Sequence, residues 1–210
     1  MSVAINTFCN GRWKQNCYVI ANDFDEVLVI DPGGAVPEIE EYLSKKNLTP
    51  LAILNTHAHY DHLGGVAPLM EKYSIPFYLH PQDKSLMRQA NLYKMLFDSR
   101  ESICLPESSV DLDCGLNALS IGHFEITFLH TPGHTPGGIC ISLGDNLFTG
   151  DTLLSSGPGR IDLPGGNKRD IEDSIRLISK LSPSTQIWPG HGRPFILSKI
   201  IQEVGDESKH

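Results

Sequence analysis

The chain has 210 residues, of which 40% are hydrophobic and 20% charged, and its 17 basic and 25 acidic side chains leave a net charge of −8. That size suits one large α/β unit with a sizeable core, and an acidic balance with no block of lysine or arginine speaks against a nucleic-acid partner. No apolar run approaches the roughly 20 residues that cross a bilayer, and Met1 to Gln15 has no apolar signal core, so the expectation is a cytoplasmic protein without a membrane partner.

Cys17 to Ile20 and Val27 to Ile30 read as two strands joined by the polar turn Asn22 to Glu26. The second ends abruptly at Asp31-Pro32-Gly33-Gly34. Pro37 opens a helix whose apolar positions Val36, Ile39 and Leu43 recur at helical spacing. Leu51 to Leu54 is a short buried strand, Val66 to Tyr73 a helix, and Phe77 to Leu79 a further strand. Gln82 to Phe97 carries a helical stripe through Leu86, Ala90, Tyr93 and Phe97, read as packing or a pocket wall rather than chemistry. Glu125 to Leu129 is a strand. Ile139, Ile141 and Leu143 alternate before Gly144-Asp145-Asn146 turns into Leu147-Phe148, which signals a hairpin. Ile171, Ile175, Ile178 and Leu181 mark an amphipathic helix, and Thr185 to Trp188 a last strand. With no linker or break in composition, residues 1–210 are expected to form one domain.

Cys9, Cys17, Cys104, Cys114 and Cys140 are odd in number and scattered. They read as thiols in a reducing compartment and not as a metal clip.

Five of the nine histidines fall in three short segments. The first is Thr56-His57-Ala58-His59-Tyr60-Asp61-His62-Leu63-Gly64-Gly65. The second is Thr131-Pro132-Gly133-His134-Thr135-Pro136-Gly137, followed by Thr149-Gly150-Asp151-Thr152, and the third is Pro189-Gly190-His191-Gly192. Five imidazoles and two carboxylates suit zinc, manganese or ferrous iron. At an extended strand end, His57 and His59 are two apart and point to the same side, so both can reach one metal. Asp61 and His62 follow where the chain turns and can face a neighbouring position. His134 and His191 sit in rigid Pro/Gly loops. Seven ligands exceed one tetrahedral zinc but fit two adjacent metals if Asp151 bridges them. Such a pair holds a water and lowers its pKa toward about 7.

Taken singly, each feature is weak. A loop histidine is usually a surface or capping residue, and H-x-H alone marks a ligand pair about one time in ten. The weight comes from three segments in order, all at strand ends and all flanked by glycine or proline. His80, His123, His130 and His210 lack that setting.

In those segments the chain resembles the metallo-β-lactamase superfamily, over a stretch from about Asn16 to His191. The resemblance implies an α/β fold, an αββα sandwich of two mixed sheets flanked by helices with metals at one edge. It also implies that His57, His59 and His134 bind a first metal and Asp61, His62 and His191 a second, with Asp151 bridging. The implied cofactors are two divalent ions, zinc first and iron or manganese as alternatives, and the catalytic carboxylates are Asp61 and Asp151.

Gly150-Asp151-Thr152-Leu153 through Gly159-Arg160-Ile161-Asp162-Leu163-Pro164-Gly165-Gly166 is similar to glyoxalase II-like hydrolases, which cleave S-acyl glutathione thioesters. The expected partner is therefore a small-molecule thioester. Two departures bear on glutathione. Only about one helix follows His191, where full-length glyoxalase II enzymes have a helical domain that grips glutathione. Gly157-Pro158 also precede Gly159-Arg160 where single-domain members usually have Ser-Ile. Arg160, Lys168 and Arg169 are the cations expected nearest a substrate carboxylate, although a surface salt bridge is the commoner role for any one of them. A mono-iron persulfide dioxygenase ranks second, and a lactone or lactam hydrolase of the superfamily is a further alternative. A β-lactamase with a cysteine at the bridging position is disfavoured by Asp151. A closed structural site needs only four ligands. The oligomeric state is left open.

Overall fold

The computed structural model describes residues 2–112 and 118–200. Cys114, His210 and most of the segment after His191 lie outside the described residues. In chain order the elements are β1 (Val3–Asn10), β2 (Gln15–Asn22), β3 (Glu26–Ile30), α1 (Val36–Lys46), β4 (Thr49–Leu54), α2 (Tyr60–Leu63), α3 (Val66–Tyr73), β5 (Phe77–Leu79), α4 (Lys84–Arg88), α5 (Ala90–Phe97) and β6 (Val110–Asp111). They are followed by β7 (Ala118–Ile121), β8 (Phe124–His130), β9 (Ile139–Leu143), β10 (Asn146–Gly150), β11 (Leu153–Leu154), β12 (Gly157–Pro158), α6 (Lys168–Ile178), β13 (Gln186–Pro189) and β14 (Phe195–Ile196).

Two six-stranded mixed sheets result, ordered β1-β2-β3-β4-β5-β6 and β14-β13-β10-β9-β8-β7. In the first, β1, β2 and β3 pair antiparallel and β3 through β6 parallel. In the second all neighbours are antiparallel except β10 with β13.

Period-2 alternation sorts the strand residues into layers. Tyr18, Ile20, Leu28, Ile30, Ala52 and Leu54 face the space between the sheets. They meet Phe124, Ile126, Phe128, Ile139, Ile141 and Phe148 there. The intervening residues Cys17, Val19, Val27, Val29 and Ile53 face outward and pack under Ile39 and Leu43 of α1 and Val66 and Leu69 of α3. On the other side Cys140, Leu147 and Ile187 pack against Ile178 of α6. Strands buried on both faces account for the unbroken apolar runs in the sequence. Each large side chain removed from water contributes about 1.5–3 kcal/mol. The result is the expected αββα sandwich.

Besides adding the short strands β6, β7, β11, β12 and β14, the structure differs from the expected elements in two places. The stretch expected as one helix from Gln82 to Phe97 is broken: a 3-10 turn over Pro81–Asp83 leads into α4, and α4 and α5 meet at Gln89. Gln89 has φ −96° and ψ 2° and bonds back to Leu86. This re-aims α5 so that Ala90 enters the core while Leu92, Met95, Leu96 and Phe97 stay exposed. The other difference is β1, which the sequence reading passed over. It is a half-exposed edge strand paired with β2 over its whole length, and its one-sided burial gives a weak pattern. No helix among the described residues is long and apolar enough to cross a membrane.

Candidate metal centre and active site

Strand ends from both sheets converge on one edge of the sandwich. β4 delivers His57 and His59, β8 leads to His134, β10 to Asp151, and β13 to His191. His59 is extended (φ −69°, ψ 148°) and caps the single-turn α2, which swings Asp61 and His62 to the next position. Asn55 fixes this turn by donating from Nδ2 to the carbonyls of His57 and His62.

Two glycines let the loops close. Gly150 has φ +49°, and a Cβ there would run into the Thr56 side chain. A Cβ at Gly190 would meet Asp151 Oδ1 and His62 Cε1. Only glycine admits both approaches without displacing a neighbour.

The ligand atoms of His57, His59 and His134 lie within 4.8 Å of one another, and so do those of Asp61, His62 and His191. Asp151 stands between the triads. Its Oδ2 is 3.5 Å from His134 Nε2 and 3.4 Å from His191 Nε2, and its Oδ1 is 3.7 Å from His62 Nε2. Asp61 Oδ2 is 3.4 Å from His191 Nε2. All seven residues singled out in the sequence therefore meet in one cluster.

The donor chemistry fits metal ions. Nε2 of His57, Nε2 of His62 and Oδ1 of Asp151 are buried without a hydrogen-bond partner, a costly state for such atoms unless they ligate. Burial, reinforced by His62, holds His57 well below the ordinary histidine value, and burial with His134 pushes His59 down to about 3. Both are neutral at pH 7, the form that binds metal. Burial alone would raise Asp151, but the His191 hydrogen bond and the fields of His62 and His134 outweigh it and hold the carboxylate well below its usual range. For Asp61, burial is likewise outweighed by His62 and His191. His191 is itself raised to about 11, because Asp151 and Asp61 overcome the effect of burial.

A second layer aims the ligands. His62 Nδ1 lies 3.0 Å from Asp31 Oδ2, which also accepts from Thr56 Oγ1 at 2.6 Å, while Asp31 Oδ1 accepts from Thr56 N at 2.7 Å. Asp31 also groups with His57 and His62 as a possible ligand set, but these bonds occupy its oxygens, so it positions His62 and leaves Nε2 free. The carbonyls of Arg160 and Trp13 do the same for His134 Nδ1 (2.7 Å) and His191 Nδ1 (2.9 Å). Buried Asp83 ties the first two segments together, accepting from Ala58 N, Thr135 Oγ1 and Gly137 N. Asn16 clamps the third through the carbonyls of Pro189 and Gly192.

Sequence reasoning passed over Asp31, Asp83 and Asn16. The first two also lie just past strands, after Val27–Ile30 and after Phe77–Leu79, so the strand-end logic applied to the histidines would have marked them. Nothing in the sequence marks Asn16.

A cleft of about 320 Å³ opens over the cluster. His59, Asp61, His134, Asp151 and His191 lie in it, and its walls include Trp13, Tyr60, Tyr93, Phe97, Leu154 and Leu163. Arg160 lines it too, but its guanidinium is held bidentately by Asp162 at 2.8 and 2.7 Å. Lys168 and Arg169 open α6 and are not among the lining residues.

An αββα sandwich with a histidine- and aspartate-rich cluster at one sheet edge defines a metal-dependent hydrolase. The sequence model of the metallo-β-lactamase superfamily matches residues 10–191, and the chain belongs to that superfamily. Among its relatives, the probable metallo-hydrolase YqgX of Bacillus subtilis is 38% identical over 186 residues, 87% of each chain. Among solved structures, the BLEG-1 B3 metallo-β-lactamase superposes with a TM-score of 0.89 at 33% identity, covering 95% of this chain and 97% of that one. The di-iron-bound form of TTHA1623 superposes at 0.83 with 34% identity, covering 92% and 95%.

Proposed function

We propose that this chain is a single-domain, cytoplasmic thioester hydrolase with a dinuclear centre, glyoxalase II-like in its chemistry. His57, His59 and His134 would hold one ion, Asp61, His62 and His191 the other, and Asp151 would be shared. The observation that carries the reading is the pair of ligand triads joined by Asp151. Zinc is the expected metal; the likeness to a di-iron protein keeps iron as the alternative. When bound, the pair would supply an activated water and a Lewis acid.

The chain's own residues do the rest. Asp61 and Asp151 present carboxylate oxygens beside His191, where they can orient the attacking water. Outside the ligand cluster, the titratable side chains lining the cleft are Tyr60, Tyr93 and Arg160. Burial raises the Tyr60 phenol to about 12, and Trp13 Nε1 donates to its oxygen at 2.7 Å. Neither Tyr60 nor Arg160, whose guanidinium is raised by Asp162, is a proton donor tuned near neutrality. An amine or alkoxide leaving group needs such a donor; a thiolate, from a thiol of pKa about 8.5, does not. That favours a thioester, S-acyl glutathione or a related carrier. Arg160 lines the cleft, but it would meet a substrate carboxylate only by giving up its bidentate pairing with Asp162.

A lactam is the second reading, favoured by the likeness to BLEG-1. Steady-state kinetics of the metal-loaded protein on lactoylglutathione, a lactam and a phosphodiester would decide. Faster turnover of either alternative than of any thioester would overturn the proposal.

A further inference from the structure

The cleft is built for something other than a small charged acyl group. Its walls come from three separate segments: Trp13 from the β1–β2 turn, Tyr93 and Phe97 from α5, and Leu154 and Leu163 from the stretch after Asp151. They share the cleft with His59, Asp61, His134, Asp151 and His191, so a group hanging from the scissile carbonyl can lie along them.

The apolar wall is open to a ligand. Trp13 is 45% exposed and Phe97 43%. Large apolar side chains left open beside a cluster of histidines and aspartates mark a place where an apolar ligand sits.

The wall is also preformed. Trp13 is held by its hydrogen bond to Tyr60 and by the Arg12 guanidinium 5.2 Å above its ring, and Arg12 in turn donates to the carbonyl of Asp98 at the end of α5. A site fixed before binding spends less of its affinity on ordering.

Charge points the same way. Arg160 is neutralised by its bidentate Asp162 partner, and Lys94 on α5 is tied to Asp98 at 3.1 Å. Apart from Arg12 over Trp13, the wall is mostly apolar, which suits a hydrocarbon chain better than the two carboxylates of glutathione.

We infer that the acyl group is a medium-length or aromatic apolar one, lying along Trp13, Tyr93, Phe97 and Leu163. The inference rests on the thioester reading for the reacting bond but not for the apolar site itself. In the reaction, water oxygen bonds to the carbonyl carbon and the C–S bond breaks. The thiolate takes one proton, and the products are a thiol and a carboxylate whose own proton passes to solvent.

The experiment uses the metal-loaded full chain and N-acetylcysteamine thioesters from acetyl to octanoyl, with phenylacetyl alongside. Burying one methylene is worth about a fourfold change, so kcat/KM should climb by that factor per added carbon until the cleft fills. Octanoyl should exceed acetyl by about 100-fold or more, and Phe97→Ala should lower the octanoyl-to-acetyl ratio. A flat profile would overturn the apolar subsite while leaving thioester hydrolysis standing.

Absence of turnover for every thioester would refute the reaction, and binding then judges the subsite. Octanoate should quench Trp13 fluorescence at far lower concentration than acetate, with Trp13→Phe removing the signal; equal binding would overturn the inference. A stable dimer at assay concentration, together with no chain-length dependence, would assign the exposed patch to a second copy of the chain.

Discussion

Asp31 places a carboxylate oxygen 3.0 Å from Nδ1 of His62, and the same oxygen takes the Thr56 hydroxyl. The residue adopts a left-handed backbone (φ 50°) directly after β3, so the sheet itself aims the carboxylate. Because His62 must donate from Nδ1, its Nε2 is left as a bare lone pair facing Asp151.

Asp31→Asn should uncouple this arrangement while keeping the shape. An amide NH2 facing Nδ1 would force the proton onto Nε2, the atom meant to ligate. Loss of such a partner typically costs 10–100-fold in metal affinity. Chelator competition should show one ion weakened by that factor and the other little changed, with an unaltered circular dichroism spectrum. Equal weakening of both ions would show that Asp31 acts on the whole loop.

The two triads and their shared carboxylate predict about two metal ions per chain, measurable by elemental analysis. Asp151→Ala should lower both occupancy and turnover. Asp61→Asn keeps the size of the side chain but loses its charge beside His191, and should damage kcat more than folding. One iron per chain with no second metal would favour the mono-iron dioxygenase reading. Near-normal turnover by Asp61→Asn with full metal content would refute a two-metal mechanism.

Removal of metal should also destabilise the fold. His57 Nε2, His62 Nε2 and Asp151 Oδ1 have no protein partner, so a chelator strips the cluster of its only compensation. Binding to the folded state alone stabilises by about 4 kcal/mol at a thousandfold excess over Kd. A melting temperature unmoved by chelation, with metal loss verified, would contradict this.

Much of the site was legible because its ligands sit in short segments whose spacing carries geometry. His57 and His59 share a side of an extended strand end, and Gly150 and Gly190 stand where the loops must touch. The sandwich was implied by the resemblance those segments carry, and the apolar runs proved to be its strands buried on both faces. What stayed hidden depends on partners distant in sequence. Asn16 clamps the His191 turn, more than 170 residues away, through backbone carbonyls that no side-chain pattern announces. β1 and the short strands at the sheet edges carry too little one-sided burial to stand out. A surface salt bridge was the commoner role expected of Arg160, and Asp162 two residues on supplies it.

Thiol reactivity should divide the described cysteines in two. Burial raises Cys17 well above the ordinary thiol value and Cys140 to about 12, while Cys9 and Cys104 are exposed. A raised pKa leaves both buried thiols in the protonated, unreactive form at pH 8. Brief alkylation followed by peptide mapping should label Cys9 and Cys104 and spare Cys17 and Cys140. Labelling of Cys140 at the rate of Cys104 would mean that the outer face of the second sheet opens readily.

Asp83 is expected to couple the first and second metal segments mechanically. Its buried carboxylate accepts from Ala58 N (2.9 Å), between His57 and His59, and from Thr135 Oγ1 (2.9 Å) and Gly137 N (2.6 Å), just past His134. The three residues proposed for the first site thus hang from one anchor. Asp83→Ala would orphan three buried donors at about 1–3 kcal/mol each, a loss of about 3 kcal/mol or more in urea denaturation. Asp83→Asn retains one acceptor oxygen, so it should fold and lose less. Because it relaxes the distance between the His57–His59 loop and the His134 loop, it should weaken the first ion more than the second. Folding as stable as wild type in both variants, with unchanged affinity at the first site, would remove Asp83 from any role in holding the centre.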